Sequence, residues 1–377
     1  MRIGIIAPEF PPDIGGVETY AYQFATELGR KGHDVLVFTP PHKEGEVELL
    51  FNVRVMPVLR LQYALDRLLP TQYKMDVWHV MNAAYAWLAL EVQPVIVSVH
   101  GNDFVNPYFQ LAGPNLQRVP GIWRLQHRVK ESVTWFYRMI TSNLIRRGLS
   151  RSRQVITNSH YTRNTLIKLY PQCQKNSSVG FVGVDEEYLQ MQHEEAAGNR
   201  GKRLVTVCRL AESRKNVEKV LHALRELKSL PFNYSVIGDG PLRPSLQALC
   251  NKLELENHVK FTGFIPKENL RRTLASSDLF ILTSSVLPQS FEGFGIAYLE
   301  ANACGTPVLA ARAGGAIEAV DDGITGYFVE ETSVTAIVAA LKRYFNGEIG
   351  FKSEHCKAFA HRFTWERVVD HAVQYYY

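Results

Sequence analysis

Short runs rich in β-branched residues alternate along this chain with amphipathic stretches of helical length, and that alternation leaves few folds open. The first series is "RIGIIAP", "HDVLVFTP", "VRVMPV", "DVWHVMN", "PVIVSVHG", "QVITNS" and "SVGFVGV". A second follows: "RLVTVCRL", "NYSVIGDG", "VKFTGF", "DLFILTSS", "TPVLAAR" and "GYFV". Strands separated by helical stretches return to the same edge of a sheet with the same polarity, so the pattern predicts parallel sheets with crossover helices. Between the two series, "LQMQHEEAAGNRGKR" is polar and lacks apolar periodicity, which predicts a linker near residues 190–202. The expected fold class is α/β, with two Rossmann-like, doubly wound domains at 1–190 and 200–360 instead of one large sheet. Open parallel sheets bind ligands at the carboxyl ends of their strands, so a site is expected in a cleft between the two facing domains.

A chain of 377 residues with 46% apolar and 21% charged residues has the balance of a two-domain globular protein. No run approaches the roughly 18 apolar residues that span a bilayer, and "MRIGIIAPEFPP" reads as a strand and its loop, so a cytoplasmic protein is expected. Five scattered cysteines, Cys173, Cys208, Cys250, Cys304 and Cys356, have no paired spacing, which argues against a disulfide framework or a zinc site. The formal net charge is +5, but residues 118–153 hold nine Arg or Lys against the single acid Glu131, a local +8 that leaves about −3 for the remainder.

Three stretches have the chemistry of phosphate and sugar binding. The pair Gly15 and Gly16 precedes a helix expected from about Val17 to Arg30, and glycines there let backbone N–H groups approach an anion. An ordinary strand-to-helix turn is the alternative, and no third glycine makes it a dinucleotide fingerprint. Arg209 ends the first strand of the second series, and Arg214 and Lys215 precede a helix from Asn216, where cations can neutralise a phosphate. In "FEGFGIAYLEANACG", Gly293 and Gly295 make a loop, and a helix opens near Phe294 to Ile296 with unpaired N–H groups. Glu292 stands in that loop, with Glu300 roughly 6 Å along the helix axis from its start. Two carboxylates and two cations suit a ligand that is anionic at its centre and rich in hydroxyls at both ends, as a nucleotide sugar is.

The motifs "GGVE", "SVHGND", "NSHYTRNTL", "GVDEEYL", "CRLAESRKN", "GDGP", "FTGFIPKENL", "EGFGIAYLEANACGTPV" and "AGGAIEAVDDGITGYFV" run in this order along nearly the whole chain. Together they resemble the "group 1" family of retaining glycosyltransferases with the two-domain GT-B fold. The resemblance implies a Glu-x7-Glu pair in which Glu292 faces the donor sugar and Glu300 the ribose. It implies that Arg209 and Lys215, with Arg214 beside them, bind the diphosphate together with the Gly16 N–H. Ile265 would flank the nucleobase, Gly293, Phe294, Gly295, Ile296 and Leu299 would lie along the donor, and His100 would stand near the reacting centre. Where the family usually has glycine after the lysine, this chain has Asn216; asparagine caps helices well, so little consequence is expected. A final helix, 361–377, would cross back to the first domain.

The implied activity is transfer of a sugar from a UDP- or GDP-sugar, with UDP preferred, to a glycan or lipid-linked acceptor in polysaccharide or glycoconjugate synthesis. No Asp-x-Asp occurs to hold a metal–diphosphate complex, so neither a metal nor a further cofactor is expected. A catalytically silent nucleotide-sugar-binding subunit and a sugar-nucleotide 2-epimerase of the same fold are the competing readings. Nucleic acid is not an expected partner. A helix over 121–153 would bury Ile122, Leu125, Val129, Val133, Phe136, Ile140 and Leu144 on one stripe, leaving Arg124, Arg128, Trp135, Arg138 and Arg146 opposite. That cationic face fits either plain solvent or the anionic inner leaflet of a membrane, which would make the protein peripheral.

Overall fold

The computed structural model describes residues 1–13, 15–41, 51–105, 140–194 and 201–377. The chain divides into two compact units, one of Met1–Phe181 with Glu366–Tyr377 and the other of Val182–Trp365. The passage to the second unit thus falls at Phe181–Val182, ahead of the polar stretch read as a linker, of which 195–200 lies outside the described residues.

The first unit holds a seven-stranded sheet of β1 (Arg2–Ile6), β2 (Asp34–Phe38), β3 (Val53–Met56), β4 (Val77–Val80), β5 (Val95–Val99), β6 (Gln154–Thr157) and β7 (Ser177–Val179). Its order is β3-β2-β1-β4-β5-β6-β7, and every pairing is parallel. The central strands β4 and β5 are buried throughout, which is why they read as predominantly apolar runs, broken only by His79 and Ser98. The last helix, Trp365–Val373, packs its residues from Glu366 onward here through Val368, Val369 and Ala372. Lys31 Nζ meets Asp370 at 2.7 Å, and Arg153 Nη1 donates to the carbonyls of Tyr375, Tyr376 and Tyr377 at 3.4, 3.2 and 2.9 Å.

The second unit holds six parallel strands: β8 (Lys202–Val207), β9 (Phe232–Ile237), β10 (Val259–Gly263), β11 (Leu279–Leu282), β12 (Val308–Ala311) and β13 (Gly326–Val329), in the order β10-β9-β8-β11-β12-β13. Helix Val217–Arg225 seals one face, burying Val217, Val220, Leu221 and Leu224 at the three- and four-residue spacing of an amphipathic helix. In both sheets the strand order reverses beside the first strand, between β1 and β4 and between β8 and β11. Loops leaving the carboxyl ends of such neighbours diverge and open a crevice, the usual place for a ligand in a doubly wound sheet.

Most of the basic segment lies outside the described residues, including Arg124, Arg128, Trp135 and Arg138. Helical residues 140–151 are described, and their buried face differs from the expected stripe. Ile145 and Leu149 are fully buried, whereas Ile140 and Leu144 are only half-buried and Arg146 is exposed. Gly148 accounts for the turn of the helix, because a Cβ there would sit 2.2 Å from the Ala86 carbonyl oxygen. That close backbone approach sets which face goes inward.

Candidate active site

The reversal between β8 and β11 brings together two loops that are distant in sequence. After β8 comes a single tight turn, Ser213–Lys215, and after β11 the segment that carries Ser284, Ser290 and Glu292. Lys215 Nζ lies 2.5 Å from Glu292 Oε2, Arg214 Nη1 lies 3.3 Å from the same oxygen, and Ser284 Oγ donates to it at 3.2 Å. The Arg214 Nε donates to Glu212 Oε2 at 2.6 Å and to Ser290 Oγ at 2.7 Å. Only 13% of the Glu292 side chain, 14% of Lys215 and 5% of Arg214 is exposed. Burial alone would raise the Glu292 pKa, but the charges of Lys215 and Arg214 outweigh it and hold the carboxyl at about 2. Glu292 is therefore a fixed anion across the working pH range. Arg209, just beyond β8, is exposed at the surface of this unit.

Asn216 does not cap its helix as the sequence led us to expect. Its backbone takes the left-handed conformation, φ 56°, with no side-chain bond to the helix, and its amide instead donates to the Thr283 carbonyl and to Ser285 Oγ at 2.8 Å. Asparagine is among the few non-glycine residues that tolerate this backbone. It thus serves the geometry a glycine would and also ties the end of β11 to the turn that carries Lys215.

The glycine loop is shaped from behind. Gly315 N donates to the Glu292 carbonyl at 2.8 Å, and a Cβ at Gly315 would stand 2.0 Å from the Gly293 oxygen. Gly295 has φ 93° and starts the helix Ile296–Ala303. Phe294 and Leu299 are buried, Phe294 against Phe363 at 5.6 Å, so their side chains seat the loop and helix in the core. Ile296 is half-buried at the first turn, and Ile265 is half-buried in the loop after β10.

Glu300, on that helix, accepts a hydrogen bond from the Tyr188 hydroxyl. Burial, with the nearby Asp185 carboxylate adding to it and Lys267 opposing, pushes the Glu300 pKa up to about 7. Asp185 itself is held by Lys267 Nζ at 3.3 Å and by the Trp365 indole N–H at 2.9 Å. The two glutamates are thus chemically unlike: neighbouring cations hold Glu292 well below the usual carboxylate range, whereas burial holds Glu300 well above it.

In the first unit, Gly15 precedes the helix Gly16–Arg30, which opens one residue earlier than expected, and Gly16 is exposed there. His100 closes β5: its N–H donates to Asp103 Oδ1 at 3.1 Å, and its carbonyl accepts from Asn158 Nδ2 at 3.1 Å. The ring bonds to the Met81 carbonyl while Nε2 is buried without a partner, so the bonded nitrogen is Nδ1. Burial lowers the His100 pKa to about 4, which leaves Nε2 as a neutral acceptor. Glu212, Ser284, Ser290, Gly315, Asp103 and Asn158 were not anticipated as parts of these arrangements. Asp103 lies in "SVHGND", where a carboxylate three residues after the histidine was the available signal, whereas Asn158 bonds His100 from 58 positions away and no spacing pointed to it.

Residues 190–362 match the family model described as Glycosyl transferases group 1, and residues 14–188 match Glycosyltransferase Family 4. A GDP-mannose-dependent alpha-(1-6)-phosphatidylinositol monomannoside mannosyltransferase of Mycolicibacterium smegmatis is 28% identical over 365 residues, covering 89% of this chain and 87% of the relative. Among solved structures, sucrose-phosphate synthase of Thermosynechococcus elongatus has a TM-score of 0.77 at 18% identity, covering 100% of this chain and 98% of its own. Anabaena Alr3699/HepE in complex with UDP-glucose has a TM-score of 0.71 at 19% identity, covering 99% and 98%. The two sheets and these neighbours identify the GT-B fold. With the two family models accounting for nearly all of the chain and a relative matched along most of its length, this chain belongs to the group 1 glycosyltransferases.

Proposed function

We propose that this enzyme is a retaining, metal-independent glycosyltransferase that moves a sugar from a nucleoside diphosphate sugar to a glycan or lipid-linked acceptor in polysaccharide or glycoconjugate synthesis. The observation that carries the reading is the grouping of Arg214, Lys215 and Glu292 at the carboxyl ends of β8 and β11. A diphosphate draws Lys215 away from Glu292, and the freed carboxylate accepts hydrogen bonds from the sugar hydroxyls. Cations aimed at the departing diphosphate stabilise the charge that develops as the glycosidic bond breaks. In the same reading Arg209 and the Gly16 N–H contact the diphosphate, Ile265 flanks the base, Glu300 meets the ribose diol, and His100 Nε2 accepts from a donor hydroxyl.

The mycobacterial relative is named for GDP-mannose and for a phosphatidylinositol-based acceptor, which supports GDP-mannose as the first donor to try and a lipid as the acceptor. The Anabaena neighbour holds UDP-glucose, which keeps UDP-sugars in the comparison. Purified protein is to be incubated with GDP-mannose, UDP-glucose and related donors, with and without EDTA, and release of the nucleoside diphosphate followed. Turnover of one donor that survives EDTA, with the product's anomeric configuration retained by NMR, is the expected result. No turnover of any donor, or a strict need for a divalent metal, counts against the proposal.

A further inference from the structure

Four side chains from four separate stretches of the first unit form one buried line of hydrogen bonds. The Tyr376 hydroxyl meets His79 Nδ1 at 2.7 Å, and His79 Nε2 meets Ser98 Oγ at 2.8 Å. Ser98 bonds in turn to the Tyr20 hydroxyl, and the Tyr20 ring stands edge-on to the His100 ring with centroids 4.5 Å apart. All four members are buried. Burial lowers the His79 pKa to about 3, so the ring is neutral, one nitrogen donates while the other accepts, and the line has a single polarity at any moment.

Polar groups this deep are costly unless every one is satisfied, and apolar residues of the same shape would pack the core as well. A satisfied buried network instead confers rigidity and a unique arrangement. Here the line leads somewhere. Tyr20 lies one turn into the helix that Gly15 and Gly16 open, and its ring abuts the histidine whose Nε2 has no partner.

We infer that Tyr376 is a positioning residue for sugar transfer: acting through His79 and Ser98, it holds Tyr20, and with it the His100 ring and the first turn of the Gly16–Arg30 helix. Arg153 secures the segment by donating to the three carbonyls of Tyr375, Tyr376 and Tyr377. The inference rests on the transferase reading for its kinetic test and on the geometry alone for its spectroscopic one.

Tyr376→Phe and Ser98→Ala each remove one hydroxyl, and Tyr377→Phe, at a side chain that is 79% exposed, is the control. Donor turnover is measured well below each variant's unfolding midpoint. Each single variant should lower kcat about tenfold or more while the donor KM stays within about twofold, because small displacements of reacting groups cost rate before they cost binding. The double variant should lose no more than the worse single one, as groups acting in one line do. Tyr377→Phe should keep the full rate. A normal kcat for Tyr376→Phe, or losses that simply add, overturns the inference, and so does a variant that melts early yet keeps its kcat. If the unaltered protein turns over no sugar nucleotide, the transferase reading fails and the ring nitrogens decide. In ¹⁵N spectra of labelled histidines, Tyr376→Phe should shift both His79 and His100 while Tyr377→Phe shifts neither. A His100 ring that does not respond to Tyr376→Phe removes the positioning role.

Discussion

Lys215 and Glu292 are 77 positions apart in the chain, yet their charged groups meet at 2.5 Å because β8 and β11 lie side by side. Lys215, Arg214 and Ser284 all converge on one carboxylate oxygen, Oε2. On the proposed function, a diphosphate exchanges this contact for its own, so that binding of the donor and release of the carboxylate would be one event.

Lys215→Ala and Arg209→Ala should each slow transfer by about 10²–10³-fold, the scale of removing one preorganised charged contact from a transition state. Initial rates at saturating donor measure this. A double variant that transfers at nearly the original rate rules out the diphosphate assignment.

Glu292→Gln should leave nucleoside diphosphate affinity close to normal while turnover collapses, since the amide keeps the shape but not the charge. Calorimetric titration separates the two, and an equal loss of nucleotide binding means that the roles of the two glutamates have been exchanged. The same variant has a pH signature. The folded-state pKa of Glu292 lies below its ordinary value of 4.5, so the ionised carboxylate contributes stability that is complete above about pH 4.5 and is lost as pH falls toward 2. Unfolding curves of the two proteins should therefore converge across that window.

Glu300 has the opposite sign. Its pKa is raised to about 7 from 4.5, so its ionisation costs stability progressively from about pH 4.5 to 7 and by a constant amount above. Glu300→Gln should then be more stable relative to the original protein at pH 8 than at pH 4, read from denaturant midpoints. If the ionised carboxylate accepts from the ribose diol, donor affinity rises with pH through 7, by at most about tenfold per unit for one proton. A pH-independent affinity in the original protein dismisses that contact.

Asn216→Ala should destabilise the fold by about 1–2 kcal/mol, from the strain of a left-handed backbone at alanine and the loss of amide bonds to Thr283 and Ser285. Asn216→Gly relieves the strain and should cost less. Chemical denaturation compares them; an alanine variant as stable as the glycine one leaves the backbone argument without support.

The alternation of strand and helix was readable because the buried strands of a parallel sheet are predominantly apolar, and each of the thirteen quoted runs contains all or part of a strand in the structure. What periodicity does not encode is which strands are neighbours. Lys215 and Glu292 could each be singled out as ligand contacts, but their mutual ion pair depends on β8 lying beside β11. In the basic helix, the pattern of large apolar residues pointed to Ile140 and Leu144, yet Gly148, which has no side chain to count, fixes the inward face at Ile145 and Leu149. Asn216 was misjudged for a related reason: cap preference is a property of residue type, whereas its left-handed backbone is imposed by the turn before it. Tyr376 could be placed on the final helical segment, but no spacing reveals a bond to a histidine 297 positions away.

The first unit is discontinuous, Met1–Phe181 closed by Glu366–Tyr377, while the second is a single stretch, Val182–Trp365. Biosynthesis therefore reverses the usual order in which the leading domain of a nascent chain is finished first. The second unit can complete its sheet on the ribosome while the first still waits for its last helix, with Ser178 awaiting His371 and His79 awaiting Tyr376. A fragment cut at Phe181 is for the same reason an unfinished body.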